Sequence, residues 1–221
     1  MKRSMIVVLT MAAMLLVAGA ASGTVIYTTE SSFLAALDPG YYLEEFTTYS
    51  NWGPINSPLS MGPVNGWQYD LSAPTVNPPV AGRLWGLNTD GGDGCISTEW
   101  PDALLTITPT GSQAVKAIGG WFFATDWNGA MLAANIHIAL SDGTVQNYTS
   151  STTAYDFRGF TSTVPITSLS VEVPGNPHDV NYYGAYPTLD HVYVGTPEPA
   201  TMAFLVLGGI ATLLRRRRGS K

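Results

Sequence analysis

The clearest order in the chain is an alternation. Ala134, Ile136, Ile138 and Leu140 are interleaved with Asn135, His137, Ala139 and Ser141. A period of two marks a strand with one buried face, because successive side chains on a strand point to opposite sides of the sheet. Asp142-Gly143 then supplies a tight turn into Thr144 to Tyr148, a hairpin signal. Leu169, Val171 and Val173 alternate in the same way with Ser168, Ser170 and Glu172. Further strands are predicted over Thr24 to Tyr27, Trp67 to Leu71, Leu104 to Thr108, Ala117 to Ala124, Phe157 to Thr161 and Leu189 to Val194. The stretch Thr28 to Leu37 is the one helical candidate outside the apolar termini: Phe33, Leu34 and Leu37 share a side, and Asp38-Pro39-Gly40 stops it. From Tyr49 to Ala81 the density of Pro, Gly, Asn and Ser predicts mostly loop. Many short alternating strands divided by turn residues predict an all-β chain, an antiparallel, jelly-roll-like β-sandwich with one short N-terminal helix.

Two apolar runs break this pattern, one at each end. Lys2 and Arg3, the apolar stretch Met5 to Val17 and the small residues Ala18-Gly19-Ala20 have the layout of a cleavable signal peptide over residues 1–20. At the other end Ala200 to Leu214 carries no charge and is followed directly by Arg215, Arg216, Arg217 and Arg218. As a helix this run would be about 22 Å long, against a hydrocarbon core of about 30 Å, and the long arginine side chains can reach the interface to make up the difference. A transmembrane helix is therefore expected over residues 199–214. Residues 215–221 would form a basic cytoplasmic tail, with the body of the protein on the opposite side of the membrane.

Signal peptide, exported domain, Pro197-Glu198-Pro199, short apolar helix and terminal arginine cluster together resemble the PEP-CTERM sorting class of Gram-negative bacteria, over residues 196–221. The resemblance implies that the tripeptide is read by an exosortase, a membrane-embedded processing enzyme. The chain would then be held transiently in the inner membrane and released to the cell surface or the extracellular matrix. Prolines on both sides of Glu198 bias this segment to an extended, open conformation. A second resemblance, to exported β-domains found ahead of such tails, covers roughly 117–195 through AIGGWFFATDWNGAMLAANIHIALSDG, YDFRGFTSTVPITSLSVEV and PTLDHVYVG. It implies a fold rather than an activity.

Between the two targeting segments lies one domain's length of chain, residues 21–195. Charge narrows its partners: Arg83, Lys116 and Arg158 face fifteen acidic side chains, a formal charge of −12. Nucleic acid and anionic lipid are excluded, since nothing neutralises phosphate; exopolysaccharide and divalent cations are not. Cys95 is the sole cysteine, so no intramolecular disulfide can form, and without a basic neighbour in sequence it reads as a buried side chain.

Catalytic chemistry is hard to assemble. Gly-x-Ser-x-Gly is absent, and His178-Asp179 and Asp190-His191 are neighbours that a regular strand would direct to opposite faces. His137 falls on the polar side of its strand, and surface or loop positions account for all three histidines. In Asn88-Thr89-Asp90-Gly91-Gly92-Asp93-Gly94 the oxygens of Asp90 and Asp93 could serve a structural Ca2+, although the spacing departs from an EF-hand and suits a solvated turn. Asp126 and Asp190, each beside a predicted strand, are further candidates, and no other cofactor is expected. Of the tryptophans, Trp121 lies in an apolar run and reads as interior. Trp52 and Trp127, flanked by polar or small residues, read as exposed and able to stack on sugar rings.

These observations predict a non-enzymatic, exported surface or matrix protein with a structural or interaction role linked to exopolysaccharide or biofilm. The alternative is a carbohydrate-binding module, and the third reading a glycan-directed hydrolase. Coplanar exposed aromatics would favour the second, and two free carboxylates in a cleft the third.

Overall fold

With one short helix among the expected elements, the alternating apolar faces are buried mainly by packing two sheets together, and the chain builds that arrangement from short strands. The computed structural model describes residues 23–74, 82–88, 94–176 and 184–199. In chain order it contains β1 (Thr24–Tyr27), the helix α1 (Glu30–Leu34), β2 (Tyr42–Glu44), a 3-10 turn (Thr47–Tyr49), β3 (Gly53–Ile55), β4 (Leu59–Val64), β5 (Trp67–Ser72), β6 (Leu84–Asn88), β7 (Gly94–Thr98) and β8 (Leu105–Pro109). There follow β9 (Ala117–Thr125), β10 (Met131–Leu132), β11 (Asn135–Leu140), β12 (Val145–Thr149), β13 (Phe157–Ser162), β14 (Leu169–Glu172) and β15 (Tyr186–Gly195). The expected signal peptide, transmembrane helix and arginine cluster, together with Asp90, Asp93, His178 and Asp179, lie outside the described residues. Among the described residues no helix is long and apolar enough to cross a membrane.

One sheet runs in the order β1-β13-β9-β15-β7-β6-β3, with β10 added to β9 and β2 to β15; the other runs β12-β11-β14-β8-β5-β4. The paired strands are antiparallel, and the fold is the expected β-sandwich. Its core is the set of alternating residues from the two inner faces. Ile118, Phe122, Ala124, Leu189, Val192 and Val194 from the larger sheet meet Tyr69, Leu71, Leu105, Ile107, Ile136, Ile138, Leu169 and Val171 from the smaller. The hairpin predicted at Asp142-Gly143 forms as β11–β12, with Ile138 opposite Gln146.

The larger sheet buries part of its outer face as well. Here α1, shorter than the predicted Thr28 to Leu37, lays Phe33 across β9 and β13. Gly119 and Gly159 stand opposite each other beneath that ring, and a Cβ on Gly159 would come within 2.4 Å of it. The absence of side chains at these two positions makes the seat.

The loop expectation for Tyr49 to Ala81 is corrected, since β3 and β4 join the predicted strand there. β2, β6, β7 and β10 are likewise strands that the alternation did not reveal. A second correction concerns the chain's exit. Beyond β15 the backbone stays extended but is not open: Asp38 N donates to Thr196 O at 2.9 Å and Glu198 N to Ala36 O at 2.9 Å. Pro197 is buried opposite Leu37, Glu198 is half-buried, and Pro199 is exposed.

Candidate functional site

The other end of the larger sheet's outer face carries a cleft of about 240 Å3. Its floor follows from strand alternation. Trp85 and Leu87 on β6, Ser97 on β7 and Tyr186 on β15 line it, because their inward neighbours Leu84, Ile96 and Leu189 belong to the core between the sheets. Thr98 and Glu99 close one side. Asp126 and Trp127, from the turn joining β9 to β10, close another.

That turn is rigid for reasons visible in its sequence, Asp126-Trp127-Asn128-Gly129-Ala130. Asp126 Oδ1 accepts from Asn128 N at 2.8 Å and from Ala130 N at 2.9 Å, the side-chain mimicry of a turn that Asp makes well. Gly129 adopts a positive φ of 81°, where a side chain would be strained. The Trp52 ring lies against the same glycine, since a Cβ there would sit 3.2 Å from its Cη2. Two tryptophans distant in sequence are thus brought to one turn and left in solvent, Trp127 59% and Trp52 48% exposed. Both exposures agree with the expectation.

Glu99 is fixed by Arg83: the guanidinium Nε donates to Oε2 at 3.1 Å and Nη2 lies 2.8 Å from Oε1, while the two backbones pair through Glu99 N and Arg83 O. Such two-pronged contact is the geometry arginine offers a carboxylate. The cleft therefore contains two carboxylates, and neither is presented as the free acid or base that glycoside hydrolysis uses. Glu99 is engaged through both oxygens, and Asp126 through Oδ1.

A second group occupies the same face further along β15. The strand bulges here: Asp190 pairs with Trp121 and Tyr193 with Gly119, so two residues of β15 oppose one of β9, and His191 takes a φ of 49°. This corrects the expectation that Asp190 and His191 point apart. The extra residue cancels one alternation and puts both on the outer face, with His191 Nδ1 3.1 Å from Asp190 Oδ1. It also removes His191 from the surface-or-loop class. His137 does stay on the polar face as expected, with Nδ1 2.8 Å from Asn147 Oδ1.

The His191 ring stacks on Trp121 at 3.9 Å between centroids, and Tyr155 stacks on it at 4.9 Å. Trp121 is thus half-buried on the outer face rather than interior, with His191 and Tyr155 stacked on it. Burial works against the charged form of His191, but contact with Asp190 and the carboxylates of Glu45 and Glu30 outweighs it and raises the pKa. Cys95, beneath this group, is buried, and its thiol is pushed far up by burial and secondarily by Asp190. It is no thiolate nucleophile.

Of the calcium candidates within the described residues, Asp126 is engaged by its own turn and Asp190, 0% exposed, by His191. No three of His, Cys, Asp and Glu gather to hold a metal among the described residues. Sequence reasoning missed Trp85, Tyr186 and Glu99. Trp85 and Leu87 do alternate about Gly86, but a run of two apolar residues beside many glycines is a faint signal.

No protein-family model and no curated protein matches the chain. Two solved structures are similar, both single-site variants of a family 29 carbohydrate-binding module studied for ligand recognition. One is 9% identical and covers 66% of this chain and 92% of its own, at a TM-score of 0.30. The other is 11% identical and covers 58% and 91%, also at 0.30. At that level of superposition the reading of the cleft rests on its own side chains.

Proposed function

We propose that this domain is a non-catalytic carbohydrate-binding β-sandwich and that the cleft beside the β9–β10 turn is its binding site. The observation that carries the reading is the convergence of Trp85, Trp127 and Tyr186 on one cleft that also holds Ser97, Thr98, Glu99 and Asp126, with Trp52 against the same turn. Sugars present apolar C–H faces and a belt of hydroxyls. Exposed indole rings take the first, and fixed carboxylates and hydroxyls accept or donate to the second. A volume of about 240 Å3 is smaller than the ~300–1,000 Å3 common for small-molecule pockets. It suits a single sugar ring, with the exposed Trp127 and Trp52, at one turn, offering support to a neighbouring unit.

The binding reading joins the targeting reading without difficulty. A domain delivered through residues 1–20 and released by an exosortase at Pro197-Glu198-Pro199 would meet exopolysaccharide at the cell surface, as a binding component of the matrix. Support for the targeting part remains the sequence of the two termini.

A glycan array probed with the full-length chain in mild detergent tests the proposal. At least one hit is expected, and Trp127→Ala should weaken it by about tenfold or more, as loss of a central aromatic contact does. A clean array from folded protein, or a hit indifferent to both Trp127→Ala and Trp85→Ala, would remove this cleft as a glycan site. Hydrolysis of any hit would instead favour the glycosidase reading.

A further inference from the structure

We infer that the cleft discriminates by charge, taking glycans that bear free, protonated amino groups in preference to neutral ones and rejecting uronic or sulfated ones. This rests on the carbohydrate reading above and names its ligand class.

The inference follows from which charges line the cleft and which do not. Two carboxylates, Glu99 and Asp126, are part of its wall, and among the described residues no lysine or arginine is. Arg83 stands outside the lining, with its guanidinium directed to both oxygens of Glu99, so that pair adds little net charge to the wall. Asp126 is left as the uncompensated charge. The other two basic residues of the domain are committed elsewhere. The Arg158 guanidinium sits 3.7 Å over the Tyr148 ring and donates to Phe157 O at 2.6 Å. Lys116 precedes β9 at the end opposite Asp126, ten residues away and so roughly 30 Å along the strand at about 3.3 Å per residue.

An anionic sugar in this cleft would meet carboxylate and find no free cation. An ammonium group would meet Asp126 and the faces of Trp127 and Trp85, whose ring quadrupoles attract cations. The wider molecule reinforces the local effect, because the domain carries a formal charge of −12. Beyond the first contacts that field is screened within about 8 Å at physiological salt, so it acts mainly on the approach of the ligand at low ionic strength.

The test uses three soluble tetrasaccharides: β-1,4-linked glucosamine, β-1,4-linked N-acetylglucosamine and a uronic acid oligomer. Each is titrated calorimetrically into the full-length chain near pH 6, at low and at high salt. The glucosamine oligomer is expected to bind about tenfold tighter than its acetylated counterpart at low salt, with the gap closing at high salt, and the uronate is expected not to bind. In Asp126→Asn, which keeps the Oδ1 that holds the turn, the glucosamine oligomer should lose about tenfold relative to its acetylated counterpart, so that the preference vanishes. In Glu99→Gln the released Arg83 guanidinium should admit the uronate oligomer. Neutral binding without an amine preference, or a preference unchanged in Asp126→Asn, overturns the charge inference and leaves the carbohydrate reading standing. Tight uronate binding by the unmodified chain also overturns it. Failure of all three oligomers to bind also overturns the charge inference, and the glycan array above then decides the carbohydrate reading.

Discussion

At the scale of single residues, the candidate site was half legible. Trp52 and Trp127 could be picked out because polar and small neighbours leave a tryptophan nowhere to bury. Their convergence at Gly129 could not, since it is made by tertiary packing between segments far apart in sequence. Asp190 and His191 were misread for a definite reason: alternation is a property of regular strands, and one bulged residue reverses it. That bulge has a measurable consequence. Burial disfavours the His191 imidazolium, yet Asp190, Glu45 and Glu30 around it raise its folded pKa above the ordinary value of about 6.5. A raised folded pKa means the folded state holds the proton more tightly than the unfolded chain. The stabilisation from this proton is fully present below about pH 6.5 and is lost as pH rises through the higher, folded value. The thermal midpoint of the unmodified protein should therefore fall, relative to that of His191→Gln, between about pH 6 and pH 8. Parallel pH profiles for the two proteins would show that His191 is held by packing on Trp121 alone.

At the scale of elements, strands with a long apolar or alternating run were found, and those missed are very short or carry glycine or proline. Gly53-Pro54-Ile55 is β3, Gly62-Pro63 lies inside β4, and Gly86 and Gly94 lie in β6 and β7. These residues read as loop signals because glycine and proline weaken strands in general. Here two of the glycines permit the segment 46–51 to cross the sheet: a Cβ on Gly86 would stand 2.6 Å from Tyr49 O, and one on Gly94 2.1 Å from Phe46 O. The physics that hid the strands from the sequence is what seats the crossing segment. The same logic governs α1, five residues long and too short to be stable without its packing. Phe33 is fully buried on Gly119 and Gly159. Gly159→Ala should cost about 1–3 kcal/mol through overpacking, and Phe33→Ala about 3–5 kcal/mol through the cavity it leaves. In a domain of this size each kcal/mol lowers the thermal midpoint by about 2–4 °C. Calorimetry of the two variants checks the ranking, and a Gly159→Ala protein as stable as the parent would mean that the seat has slack.

At the scale of the whole molecule, the folded domain constrains where the proposed C-terminal processing could cut. The sequence of residues 196–221 predicts processing near Pro197-Glu198-Pro199, but the fold does not release the chain at the end of β15. Lys116 N donates to Gly195 O, Asp38 N to Thr196 O, and Glu198 N donates to Ala36 O, with Pro197 buried between the last two contacts. A processing enzyme needs an extended segment with its backbone groups available. In the folded molecule Thr196 to Glu198 do not meet that condition, and the first exposed position beyond them is Pro199. Cutting upstream of Pro197 requires this end to peel off, at the loss of two backbone hydrogen bonds and a buried ring. At about 1 kcal/mol for each bond, that is about 2 kcal/mol and a roughly 30-fold smaller population of open chain. The released protein is therefore expected to keep Thr196, Pro197 and Glu198, with cleavage after Glu198 or later. In Phe33→Ala, where the support beneath Ala36 to Asp38 is weakened, products ending before Pro197 should accumulate. Intact-mass measurement of the surface-released protein decides the matter. A parent product ending before Pro197, formed as fast as in Phe33→Ala, would show that the end of β15 is undocked when the chain is processed.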